Sequence, residues 1–155
     1  MKALRISLAA LLVAFLSIPL LAQDTNMEIL KQKVRADKKL VVAANMNVTE
    51  AEGKGFWPVY DAYQKELQVI NERMAKTIAA YADAYNTKSL TDAKAKPLIE
   101  EVIAIEESEA KLRRASLPKL SAVLPAVKVA RYLQIENKIR AMLRYDLASG
   151  IPLAP

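Results

Sequence analysis

The chain has 155 residues, a formal net charge of +6, and neither cysteine nor histidine. Without those two residue types it can build no disulfide, no Ser-His-Asp or Cys-His nucleophile and none of the usual zinc sites. Its three glycines, Gly53, Gly55 and Gly150, are too few and too scattered for a phosphate-cradling loop, so we expect no enzyme, no metal and no cofactor.

The chain opens MKALRISLAALLVAFLSIPLLAQ. Lys2 and Arg5 precede an apolar run from Ile6 to Ile18, Pro19 breaks the run, and the small Ala22 follows. This is the grammar of a secretory signal peptide. The run is shorter than the ~20 residues of a comfortable membrane span. Leu20 stands where a smaller residue is preferred, which keeps an uncleaved anchor as the alternative. The expectation is therefore a leader over 1–22 and a single helical domain over 23–155, periplasmic or otherwise exported. Loss of Lys2 and Arg5 takes the net charge from +6 to +4.

Thr25 to Glu28 reads as a capping box, and Met27, Leu30, Val34 and Val41 recur near helical spacing. A first helix is expected over about 26–44, ended by Asn45-Met46-Asn47. A second box, Thr49 to Glu52, opens a long helix reaching about Asn86. Its stripe is Phe56, Tyr60, Tyr63, Leu67, Ile70, Met74, Ile78, Tyr81 and Tyr85. Pro58 interrupts it early and should kink or loosen it without breaking it. The aromatics of GFWPVYDAY fall on this stripe and read as core, whereas Trp57 lies beside it and reads equally as core or partner surface.

Ser89 or Thr91 caps a third helix whose stripe is Leu98, Val102, Ile105, Leu112 and Leu120 or Val123. Pro97 falls early enough to be tolerated, and Pro118 should bend or split the segment. Leu124-Pro125 opens a last helix, with Val129, Tyr132 or Leu133, Glu136, Ile139, Leu143 and Leu147 inward and Ser149-Gly150 as its stop. No segment shows a strand pattern. The expected fold is all-α, with four helices and a long antiparallel helical hairpin.

Charge is unevenly placed. Residues 89–110 carry −4 (two basic against six acidic), and residues 111–148 carry +7 (nine basic against two acidic). An antiparallel last helix would bring Arg140 and Arg144 near the acidic start of the third helix. Lys111, Arg113, Arg114, Lys119, Lys128 and Arg131 would then collect around the Leu124-Pro125 turn as a candidate client-binding patch. Three readings of that patch stand side by side: a solvated surface, a surface for unfolded or acidic protein segments, or a contact with anionic lipid or peptidoglycan-associated polymer. Nucleic acid is not an expected partner of an exported protein. Glu106, Glu107 and Glu109 lack the loop of a calcium site and read as helical ion pairs with Lys111 and Arg114. Glu136 reads as a buried partner for an arginine.

Asn47-Val48-Thr49-Glu50-Ala51-Glu52, opening a helix after a short first helix, resembles the LTxxQ motif of the Spy/CpxP-like periplasmic proteins. Val48 stands for the leucine, Thr49 matches, and Glu52 replaces the glutamine. Leu124 alone matches where the second copy of the motif would fall. The resemblance implies a hairpin-based four-helix cradle, often a homodimer, with a basic concave face. It also implies an ATP-independent chaperone or client-binding role in envelope stress. The alternative it implies is a regulatory or scaffold subunit docking one envelope partner, such as a stress-sensor kinase. The histidines of the family's metal-responsive branch have no counterpart here.

Overall fold

The computed structural model describes residues 37–155 and is all-α over that range. The expected leader, the Thr25–Glu28 box and the start of the first helix lie outside the described residues. The chain divides into two units between Val41 and Val42, and the described part of the first is 37–41. In the first, the Leu40 amide donates to the Asp37 carboxylate at 3.0 Å. The second holds the core and, apart from the first residues of the opening helix, every feature described below.

A helical segment over 37–46 (α1) runs two residues past the expected end, and its Val42 and Met46 are fully buried. Asn47 then takes a left-handed φ of 50°. Asparagine tolerates that region better than most residues, which lets the chain turn sharply into the next cap. The second helix, α2, spans Glu50–Asn86. Thr49 and Glu52 form the reciprocal capping box, with the Thr49 hydroxyl accepting from the Glu52 amide at 3.2 Å and the Glu52 carboxylate accepting from the Thr49 amide at 2.7 Å. The helix continues through Pro58. It ends with the Ser89 amide on the Ala84 carbonyl and the Lys88 amide on the Tyr85 carbonyl, a Schellman arrangement with Lys88 at φ 52° where glycine is usual.

The third helix, α3, spans Asp92–Ser121 behind Thr91, whose side chain makes no capping bond. Pro118 neither splits nor ends it. The helix stops three residues later, so the proline falls within the last turn, where little remains to be disrupted. The last helix, α4, spans Ala126–Gly150. Pro125 is its cap rather than its first residue, and the Pro125 carbonyl accepts from Lys128 and Val129. Gly150 is the final helical residue, not a left-handed terminator.

The helices α2 and α3 form the expected hairpin, packing closely along their length. Ion pairs fix α4 antiparallel to α3, because Arg140 meets Glu109 while Arg144 reaches back to Glu106. The arginines thus meet Glu106 and Glu109 of the acidic 89–110 stretch, at the middle of α3. Only Glu107 makes the pair expected within the helix, at 3.9 Å from Lys111.

Candidate functional site

The inward stripe divides into two stretches that behave differently. Near the helix ends at 50 and 125, Phe56, Tyr60, Tyr63, Leu120, Val129 and Tyr132 are all buried. Tyr132 is the hub, with ring centroids 5.3 Å from Phe56, 6.1 Å from Tyr60 and 6.2 Å from Tyr63, all edge-on. That geometry suits aromatic quadrupoles and fills space tightly. Gly55 makes the close approach possible, since a Cβ there would lie 3.0 Å from both Cβ and Cγ1 of Val123. Trp57 resolves as an intermediate case. One face packs on Phe56 and Tyr60, at 4.8 and 5.5 Å, while the ring borders a shallow open depression with Val48, Gly53 and Pro58.

Between the aromatic end and the opposite end lies a polar layer. The buried Glu136 accepts from the Gln64 amide at 2.9 Å. Burial, reinforced by the Glu136 charge, pushes the Tyr63 phenol up to about 12. The Tyr132 phenol moves in the same direction for the same reasons. Nearby, Glu109 joins Arg140 and Arg144 at 3.7 and 3.1 Å.

Beyond that layer the bundle opens. Met74, Thr77, Ile78 and Tyr81 of α2, Leu98, Ile99, Val102, Ile103 and Glu106 of α3, and Arg144, Leu147 and Ile151 line a groove of about 450 Å³. Several of these positions belong to the stripe expected to be core. Yet Leu147 is 43% exposed, and Ile99 and Ile103 are 59% and 53% exposed. Arg144 and Leu147 of α4 stand level with Ile78 and Tyr81 of α2 but line the groove instead of filling it. The Tyr81 hydroxyl donates to the Pro152 carbonyl at 2.8 Å, so the tail after α4 is tied beside the groove. The Arg144–Glu106 pair, 3.3 Å apart, stands at its edge.

The six basic residues singled out from the sequence divide between two roles. Lys128 donates to the Glu52 carboxylate at 2.5 Å and to the Asn47 carbonyl at 3.0 Å. Arg131 donates to the Asn45 carbonyl. These two tie the start of α4 to the α1–α2 junction. The Lys128 ammonium, together with the Thr49 amide, holds the Glu52 carboxyl below its ordinary range. The motif residues Thr49 and Glu52 thereby make both the cap and the tie, while Val48 sits half-buried beside them. Arg113 is half-buried, with its Nε buried and without a hydrogen-bond partner. Lys111, Arg114 and Lys119 are exposed.

Among the described residues, no group of carboxylates is placed to hold a metal ion, and no helix is long and apolar enough to cross a membrane. No family model, curated protein or solved structure matches the chain. The groove residues Ile99 and Ile103 were not visible as a site in the sequence, where they fall off the inward stripe of α3.

Proposed function

We propose that this protein is a non-enzymatic client-binding module of the cell envelope, holding apolar stretches of non-native polypeptide in the groove between α2, α3 and the end of α4. One observation carries the reading: aliphatic side chains line an open groove in a chain whose other end is tightly packed. Exposed Ile99 and Ile103 gain by leaving water at roughly 25 cal/mol per Å². Met74 supplies an adaptable wall, because an unbranched thioether repacks around different partners. Nothing in the lining fixes an orientation by a dense set of hydrogen bonds, which suits weak binding of many sequences better than recognition of one small molecule. The likeness of Val48-Thr49-Glu50-Ala51-Glu52 to the Spy/CpxP-like motif supports an exported holding role.

Light scattering of a denatured model client, followed at stoichiometric ratios, tests this. The purified protein should suppress aggregation, and an Ile99→Asp/Ile103→Asp variant should lose most of that suppression while remaining folded by circular dichroism. Unchanged suppression in that variant removes the groove from the reading. No suppression by the wild-type chain at any ratio rejects the client-holding role and favours a subunit docked on one envelope partner.

A further inference from the structure

The segment that follows α4 returns to the groove. Pro152 has no amide with which to continue the helix, and it confines the residue before it to extended backbone. Ile151 accordingly stands at φ −98° and ψ 117°, with its amide still on the Leu147 carbonyl at 3.0 Å. The chain thereby leaves the α4 axis and meets α2. Ile151 joins the lining of the groove, and the Pro152 carbonyl accepts from the Tyr81 hydroxyl at 2.8 Å. The Tyr81 ring stacks on Tyr85, centroids 6.0 Å apart, which steadies the donor. The other polar side chains of the lining are engaged elsewhere. The Thr77 hydroxyl donates back to the Arg73 carbonyl at 3.0 Å, and Arg144 pairs with Glu106 and Glu109. The Tyr81 hydroxyl thus holds the main-chain carbonyl of an apolar segment, Ile-Pro-Leu-Ala-Pro over 151–155, that has no charged side chain.

We propose that this segment is a strap that competes with clients for the groove. The clients that displace it share its character: extended, uncharged stretches whose backbone carbonyl takes over the Tyr81 hydroxyl. The inference rests on the holding role given above. A tethered ligand sits at high effective concentration, so a weak contact is enough to keep it in place. One exposed hydrogen bond and one isoleucine make such a contact, and an incoming chain displaces it readily. Leu153 is 90% exposed, so the strap fills only the end of the groove beside Tyr81 and leaves Ile99 and Ile103 open for first contact. A helical client fits this site less well. It spends its carbonyls on its own amides and, except in its last turn, offers none to Tyr81.

Titration with N-phenyl-1-naphthylamine, an uncharged dye that brightens in apolar surroundings, tests the strap without a client. Tyr81→Phe keeps the ring, removes the donor and should tighten dye binding by about two- to tenfold, the range that one net hydrogen bond spans. Removal of residues 152–155 should tighten it at least as much. The gain should vanish when Ile99→Asp/Ile103→Asp is added to either strap variant. Dye affinity unchanged in both strap variants overturns the proposal, and so does a gain that persists with the two aspartates present. Weaker binding in both strap variants also overturns it, because the segment would then be a wall of the groove and not a competitor. Both strap variants should also suppress aggregation of the denatured model client at lower ratios than the wild type. Suppression by the wild type that neither variant improves contradicts the competition. Aggregation unsuppressed by any chain, with the dye gain intact, rejects the holding role and not the strap.

Discussion

The two ends of this helical bundle are built from one continuous stripe and reach opposite outcomes. At one end Phe56, Tyr60, Tyr63 and Tyr132 interlock edge to face, and α2 passes so close to Val123 that a Cβ at position 55 would lie 3.0 Å from its side chain. At the other end Met74, Ile78, Tyr81, Val102 and Leu147 keep the same spacing but surround open space. Hydrophobic spacing states which face of a helix turns inward. Whether a partner helix comes close enough to cover that face is a separate matter, decided by what stands across from it. The closed end supplies stability, and the open end leaves apolar surface for a partner.

Substitutions at the two ends should separate sharply. Phe56→Ala removes a fully buried ring and should cost about 3–5 kcal/mol in denaturant unfolding. Ile105 and Ile103 sharpen the contrast within a single helix. Ile105 is 1% exposed, and its change to alanine should cost about 2–5 kcal/mol. Ile103, 53% exposed, should shift stability by less than about 0.5 kcal/mol when changed to alanine. Equal losses at the two isoleucines would mean that the groove is closed in solution. Gly55→Ala should cost about 0–2 kcal/mol, because moving Val123 from the added methyl is partly offset by the ~1 kcal/mol alanine gains over glycine in a helix.

Alkaline pH should act on the closed end. Tyr63 is neutral in the fold, and burial raises its pKa from 10.0 to about 12. Its contribution to stability is fully present below pH 10 and is lost as the pH rises from there through about 12. Tyrosinate absorbance should therefore appear together with loss of helicity across that window. The smallest effect belongs to the tie between Lys128 and Glu52. Lys128→Met should let the Glu52 carboxyl rise toward its ordinary pKa, measurable by carboxyl NMR titration. In the wild type the stabilisation from that carboxylate is present above its ordinary pKa and is lost as pH falls through the lowered value.

Much of this fold was legible in the sequence because its signals are local. Thr49 and Glu52 announce a capping box and make one, and the stop near Asn86 follows from the polar turn after it. The all-α class follows from helical spacing throughout. What failed was whatever depended on the far partner. Pro118 was read as deep within a helix, and only the position of Ser121 shows it in the last turn. Gln64 reaches Glu136 from 72 positions away, which no local pattern announces. The basic residues read as one patch because they are close in sequence. The fold spends Lys128 and Arg131 on its own junction and leaves Arg114 and Lys119 outside. Leu143 and Leu147 were read as core by spacing alone, without regard to what stands across from them.

The most direct test of the two-ended account is methyl NMR of the isoleucines while a non-native client is added. Ile78, Ile99, Ile103 and Ile151 line the groove, whereas Ile70, Ile105 and Ile139 are buried. The account predicts shifts and broadening confined to the first set, with the buried set unmoved. Perturbation centred on the buried set, or spread evenly over both, would contradict it.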